Sequence, residues 1–150
     1  MRIRALLLLF VLPAFVLAQS QSSGRKHLVS KLAVQQNLPF SSGVVVGDTL
    51  YVAGTTGVDP STPNKNLSAE EEARLAMNQV KQVVEQAGMT MDDVVSVQVF
   101  CTDLANYGAF NRVYRTYFHG KYPARAFVGV DKLLFGARYE VMATAVRSPK

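Results

Sequence analysis

The sequence is poor in the residues that build covalent and metal frameworks. It has one cysteine, two histidines and no tryptophan. The lone Cys101 cannot form an internal disulfide, and His27 and His119 do not have the spacing of metal ligands. A glycine-rich phosphate loop is also missing. These absences argue against metal, redox and phosphate-loop chemistry, and no cofactor is expected. Cys101 ends a strongly apolar stretch, which favours a buried thiol over a nucleophile.

The charged residues of the sequence form no long basic run and no long run of mixed sign. The 16 Lys and Arg residues and 11 Asp and Glu residues give a formal charge of +5. Removing Arg2 and Arg4 with a predicted leader lowers this charge by 2, from +5 to +3. The remaining basic residues are scattered, so no nucleic-acid partner is expected. A small positive excess favours an anionic small-molecule substrate.

One long apolar run occurs, close to the N-terminus. A basic start at Arg2 and Arg4 precedes the apolar run 5–17, and small residues end at Ala18. This pattern predicts a cleavable signal peptide over residues 1–18 and an exported protein, periplasmic or secreted. An uncleaved membrane anchor is the alternative, but the run is short for a membrane span. No membrane association is expected after cleavage. We expect residues 19–29 to be a mobile mature terminus.

The first half of the remaining chain predicts a hairpin and a helix. Gly47 and Asp48 separate two apolar strands over residues 44–53, because glycine first in a two-residue turn suits antiparallel pairing. Ser68 and Glu71 have the spacing of a capping box, and apolar residues follow at helical intervals to residue 87. Gly88 is predicted to end this helix.

The second half predicts a strand over 94–101, a helix over 107–118 with Asn106 as its cap, and strands over 122–130 and 138–146. The element order indicates an α+β fold with two βαβ-like halves and both helices on one face of a single sheet. Nothing in the chain covers the other face, so neighbouring subunits must do so. Residues 30–150 are expected to form one domain.

Two charged residues in these last strands are the strongest candidates for chemistry. Arg125 follows Pro123, whose fixed φ stiffens the start of the strand, and a guanidinium can hold a carboxylate through two parallel hydrogen bonds. An intersubunit ion pair is the alternative role. Glu140 lies in an apolar strand, where a carboxylate needs water or a charged neighbour. It could accept a proton from water, or form a structural salt bridge with Arg138, Arg125 or Lys132.

The ordered set resembles one known family. Pro123-Ala124-Arg125, the preceding helix with Asn111 and Tyr114, the strand with Glu140 and the upstream segment 50–54 are together similar to the reactive intermediate deaminase family, RidA or YjgF. The resemblance runs from about residue 30 to residue 147. It implies a chorismate-mutase-like fold, a homotrimer with clefts between subunits, and hydrolysis of 2-imino or enamine acids to 2-keto acids with release of ammonia.

The resemblance also assigns the site residues. Arg125 would hold the substrate carboxylate and Glu140 would position or activate water. Asn111 would line the cleft together with the backbone of Gly54, although an exposed structural role for Asn111 is nearly as well supported.

Three positions depart from the family pattern. Phe40 stands where the family has a tyrosine facing the ligand, and Ala53 stands where it has a small hydroxyl residue. Phe127 stands where the family has a smaller residue. Two hydrogen-bonding groups are therefore absent from a polar site, which costs discrimination.

These departures leave two further hypotheses open. The chain could be a non-catalytic binder of small carboxylates that retains Arg125, or a stress-related holdase or nuclease-like protein of the same fold. The sequence has no basic aromatic groove, which argues against work on RNA.

Overall fold

The computed structural model describes residues 24–58 and 66–148. Within these ranges six strands form one sheet, packed against two longer helices and one short one. The strands are β1 Arg25–Leu28, β2 Gly43–Val46, β3 Thr49–Thr56, β4 Val94–Cys101, β5 Ala124–Gly129 and β6 Tyr139–Val146. The helices are α1 Lys31–Gln35, α2 Ala69–Gln86 and α3 Tyr107–Tyr114.

The predicted signal peptide, residues 1–18, lies outside the described residues. The predicted mobile terminus, 19–29, is wrong for its last part, because residues 25–28 form β1 and pair antiparallel with β2. Burial of Leu28 in the core fixes this strand. In the part of the chain that the structure describes, no helix is long and apolar enough to cross a membrane.

The strand order in the sheet is β1-β2-β3-β6-β4-β5. β4 and β5 are parallel and are joined by α3, which makes one βαβ unit. β6 is antiparallel to both β3 and β4 and lies between them, so β3 and β4 run in the same direction on either side of it. The unit β3-α2-β4 is therefore a second βαβ unit, split by the last strand. This agrees with the predicted pair of βαβ-like halves.

The predicted hairpin and first long helix are both confirmed. Val46 pairs with Thr49 across the two-residue turn, and Gly47 has a φ of 57°, which favours glycine. Ser68 and Glu71 make the predicted reciprocal capping box of α2. Gly88, with a φ of 71°, follows the end of that helix.

The second long helix is shorter than predicted. α3 ends at Tyr114, and a 3₁₀ turn, Arg115–Tyr117, continues to the loop. Asn106 occupies the cap position, but its side chain makes no capping hydrogen bond. A 3₁₀ turn precedes α3, and there the Asp103 side chain accepts a hydrogen bond from the Ala105 N–H at 2.9 Å. The side-chain cap is therefore made by Asp103 at the 3₁₀ turn before α3, and not by Asn106 at the start of α3.

The two faces of the sheet differ, as the alternation in the sequence predicts. In β6 the odd-numbered residues 139–145 are buried against the helices, while Glu140, Met142 and Thr144 lie on the other face. Tyr51 of β3 is exposed on that second face, which we call the open face. The α+β fold with α2 and α3 on one face is confirmed.

Cys101 lies on the helix-covered face and is fully buried. Its Sγ donates to the Asp103 carbonyl oxygen at 3.1 Å, and burial raises the pKa of the thiol. The prediction of a buried, unreactive thiol is consistent with this environment.

Candidate active site

Arg125 points from β5 towards α3. It pairs in register with Val97 of β4, which is buried under the helices, so both side chains lie on the helix-covered face. β5 begins at Ala124, directly after Pro123, as the sequence predicts. The stiffened strand start thus positions the guanidinium under the helix layer.

Four aromatic rings surround this guanidinium. Its Cζ lies 4.5 Å from the ring centroid of Tyr114, 5.7 Å from those of Tyr107 and Phe127, and 6.0 Å from that of Phe110. Each contact of this kind contributes about 0.5–2 kcal/mol, more where water is excluded. The rings therefore stabilise the cation in a place where a carboxylate would be the usual partner.

The hydrogen bonds of Arg125 are incomplete. Nη2 donates to the Tyr107 hydroxyl over a long 3.5 Å, and Nη1 is buried without a partner. Among the described residues, the other buried side-chain polar atom without a partner is the Tyr114 hydroxyl. Buried polar groups are almost always satisfied, and both of these groups can donate to an anion bound beside the guanidinium.

A cleft of about 230 Å³ opens beside these groups. Its lining residues are Tyr107, Asn111, Tyr114, Arg115, Tyr122, Pro123 and Arg125. None of them is acidic. The cleft therefore joins a positive charge to aromatic walls, which suits a small organic anion.

The tyrosine hydroxyls of the cleft have different pKa values. Hydrogen bonding by the Asn111 side chain, followed by the positive charge of Arg125, lowers the pKa of Tyr107. Burial raises the pKa of Tyr114 to about 12, against the opposing effect of Arg125. The Tyr114 phenol therefore stays protonated at neutral pH and can donate to an anion.

Glu140 occupies a separate position on the open face. It pairs with Thr56 of β3 and Phe100 of β4. A register shift in β3 between Val52 and Thr55 brings Gly54 against it, and a Cβ at residue 54 would overlap the Glu140 carboxylate. The need for glycine at position 54 is therefore steric.

The salt bridges considered for Glu140 are not formed in the chain. Arg138 is bound to Glu72 at 2.8 Å, and Lys132 lies 4.0 Å from Asp131. Arg125 lies on the opposite face of the sheet. Glu140 is half-buried, so its carboxylate is available on the open face.

The predicted site residues thus form two groups. Arg125, Asn111 and Phe127 lie on the helix-covered face, where Phe127 packs edge-on against Tyr107 at 4.9 Å. Glu140 and Gly54 lie together on the other side of the sheet.

Ala53 directly precedes Gly54 and belongs with the second group, and Phe40 lies on the loop before β2. The Ala53 N–H donates to the Ser42 carbonyl oxygen at 3.0 Å, which brings the loop with the exposed Phe40 alongside. Within one chain, neither Ala53 nor Phe40 joins Arg125, and Arg125 does not meet Glu140.

Sequence reasoning missed the tyrosines and Arg115 of the cleft. Residues 107, 111, 114 and 115 recur at the i, i+4, i+7 and i+8 positions of one helix face, so that spacing could have identified them. Helical spacing could not have identified Tyr122, because this residue lies beyond the helix, directly before Pro123. It lies in the cleft because its ring stacks on Tyr114 at 6.4 Å.

The chain is similar to known proteins over the same region. A family model described as endoribonuclease L-PSP matches residues 30–147. The mouse 2-iminobutanoate/2-iminopropanoate deaminase is 37% identical over 112 residues, which cover 74% of this chain and 83% of the mouse protein.

Solved structures agree with these sequence matches. Escherichia coli TdcF, crystallised with bound serine, is 34% identical with a TM-score of 0.68, covering 73% of this chain and 89% of TdcF. The E. coli YjgF gene product is 32% identical with a TM-score of 0.69, covering 74% and 90%.

Proposed function

Since the chain belongs to the RidA/YjgF family, whose model bears the description endoribonuclease L-PSP, we propose that it hydrolyses 2-imino or enamine acids to 2-keto acids and ammonia. The observation that carries this proposal is the buried, unpartnered Nη1 of Arg125 in the aromatic cleft. A cation with an open donor there suits the carboxylate that all these substrates carry. The reaction needs no cofactor, because the imine carbon is already electrophilic.

Arg125 binds the substrate carboxylate in this mechanism. Nη1 and Nη2 donate to its two oxygens in the planar fork that arginine offers, and Nη2 can exchange its long bond to Tyr107 for a ligand oxygen. The ring centroid of Tyr114 lies 4.5 Å from the guanidinium carbon, and the unpartnered Tyr114 hydroxyl can donate to the same anion. The aromatic walls exclude water and strengthen each of these bonds.

Glu140 handles the water. Its carboxylate accepts a proton as the water oxygen bonds to the imine carbon, and the C=N π electrons move to nitrogen, which takes up a proton. In the resulting carbinolamine the protonated Glu140 returns its proton to the amino group, the C–N bond breaks to release ammonia, and the hydroxyl group loses its proton to solvent as the C=O bond forms. Gly54 allows the carboxylate to sit against the β3 backbone, since any side chain would displace it.

The two groups can meet only between chains. Arg125 and Glu140 lie on opposite faces of one sheet, so a complete site needs the helix-side cleft of one subunit beside the open face of another. The open face carries exposed apolar side chains, Tyr51 and Met142 among them, as an interface requires. We propose a homotrimer with one such cleft at each subunit interface, since a heterologous contact closes into a ring.

Export remains part of the proposal. The basic start and apolar run of residues 1–18 support a cleaved leader and a periplasmic or secreted protein. The intact mass of protein purified from its own host should lack these 18 residues. Full-length chain retained in a membrane fraction would instead support the anchor.

A binder of small carboxylates is the second candidate. Ala53 lies beside Gly54 and Glu140 and offers no hydroxyl there, and Phe40 stands where the family resemblance implies a tyrosine, so two polar groups expected in the site are absent. This reading predicts binding of 2-keto acids through Arg125 with no turnover. In that case Phe40→Tyr combined with Ala53→Ser tests whether the lost hydroxyls are the cause.

The deciding experiment uses residues 19–150 and imines generated by an amino-acid oxidase. Semicarbazide traps the imine that the protein leaves, and the fall in trapped product measures hydrolysis. The wild-type protein should lower the amount of trapped product well below the amount found without protein, and Glu140→Gln should not. Equal rates for wild type and Glu140→Gln, both above background, would overturn the assigned mechanism.

A further inference from the structure

Arg115 is a second guanidinium in the cleft of Arg125. It begins the 3₁₀ turn after α3 and lines the cleft together with Tyr107 and Asn111. After Asn111 and Arg125, its charge is a further cause of the lowered pKa of Tyr107. The positive charges of Arg125 and Arg115 thus both lower the pKa of the Tyr107 hydroxyl.

Three other arginines in the described part of the chain serve the fold. Arg112, on α3, binds Glu70 at 2.7 Å and ties α3 to α2. Arg138 binds Glu72, and Arg147 donates to the Ala87 and Gly88 carbonyl oxygens at the end of α2. Each of these charges has a structural partner.

Arg115 differs from them in its surroundings. Among residues 24–58 and 66–148 it has no ion pair or hydrogen bond, and its side chain is exposed at the cleft. The lining residues include no carboxylate that would neutralise it. The cleft therefore carries two positive charges and no negative one, which favours a ligand with two negative charges.

We propose that Arg115 forms a second anion subsite, so that the preferred ligands are small dicarboxylates bearing a 2-oxo or 2-imino group. One carboxylate binds Arg125, the other binds Arg115, and the aromatic walls contact the carbon chain between them. This inference rests on the proposed function and names the substrate class of the same site. A cleft of about 230 Å³ has room for such an acid.

Calorimetric binding to residues 19–150 tests the subsite without requiring turnover. The probes are 2-oxoglutarate, with two carboxylates, and 2-oxobutanoate, with one. Wild type should bind 2-oxoglutarate about 10-fold more tightly, because one further charge-assisted hydrogen bond contributes roughly that factor. Arg115→Gln should remove most of this preference and weaken 2-oxobutanoate binding far less.

Arg112→Gln is the matched control. It removes the same charge three residues earlier in the chain, but its guanidinium is held by Glu70 and does not line the cleft. This variant should keep the preference for 2-oxoglutarate. A loss equal to that of Arg115→Gln would mean that overall charge, and not a subsite, decides the preference, and would overturn the inference.

The outcomes separate this inference from the proposed function. Equal binding of both acids by wild type, with both lost in Arg125→Ala, overturns the second subsite and leaves the proposed hydrolysis intact. Binding through Arg115 without hydrolysis of any imine supports the subsite and overturns the proposed reaction.

Discussion

Glu72 and Arg138 are joined in the interior beneath the start of β6. Glu72 is 1% exposed, and its Oε2 accepts from Arg138 Nη1 at 2.8 Å. Its Oε1 accepts from the backbone N–H groups of Arg138 and of Tyr139, the latter at 3.2 Å. One carboxylate of α2 therefore fixes the backbone of both residues that directly precede Glu140.

Replacing Glu72 should destabilise the fold severely. Glu72→Ala leaves the Arg138 guanidinium and two backbone N–H groups without their partner, and breaking a buried pair in this way costs about 3–5 kcal/mol. Urea denaturation should show that loss in the free energy of unfolding. The control is Glu70→Ala, which removes an exposed pair with Arg112 and should cost at most about 1 kcal/mol. Similar losses for both would show that the burial of Glu72 has no energetic weight.

Arg125→Ala should mainly raise KM. The guanidinium holds the substrate carboxylate in the ground state and the transition state alike, so its loss weakens binding more than it slows the chemical step. Arg125→Lys should restore little, because an ammonium does not reproduce the bidentate fork. Steady-state kinetics on one imine substrate measure both effects. Near-normal KM in Arg125→Lys would mean that a point charge is sufficient.

Glu140→Gln should mainly lower kcat. Water activation is felt at the barrier, and loss of a general base lowers the rate about 10²- to 10⁴-fold. The amide keeps the shape of the side chain beside Gly54, so the stability of the protein should change little. Circular dichroism and thermal melting check the fold. An unchanged kcat would assign Glu140 a structural role.

Mixing two inactive variants tests the shared site. Arg125→Ala and Glu140→Gln chains, unfolded together and refolded in equal amounts, form some interfaces that combine an intact Arg125 with an intact Glu140. In a closed ring about one quarter of the interfaces have this combination, so about a quarter of wild-type activity should return. Each variant refolded alone is the control. Activity that stays at the level of the controls would refute a site built from two chains.

The sequence predicted the elements well, because strong local signals mark them. The Ser68 capping box and the Gly47 turn each depend on a few neighbouring residues, and both are confirmed. α3 was predicted too long because a 3₁₀ turn keeps nearly the same apolar spacing as the helix before it.

The site was predicted only in pieces. The resemblance supplied Arg125 and Glu140, but their placement on opposite faces follows from the register of β5 and β6, which no local pattern encodes. The burial of Glu72 depends on Arg138, 66 residues away, and such a distant partner leaves no signal in a single sequence.

The position of β6 also determines when the fold can form. β1, β2 and β3 make one piece of the sheet and β4 and β5 another, and β6 alone pairs with both. During synthesis the two pieces therefore exist without a common ladder until the final strand has been made. Such a chain closes its sheet late and all at once, through contacts that are far apart in sequence, and this slows folding. Until β6 is made, the β3 and β4 edges that it will pair with have no strand between them.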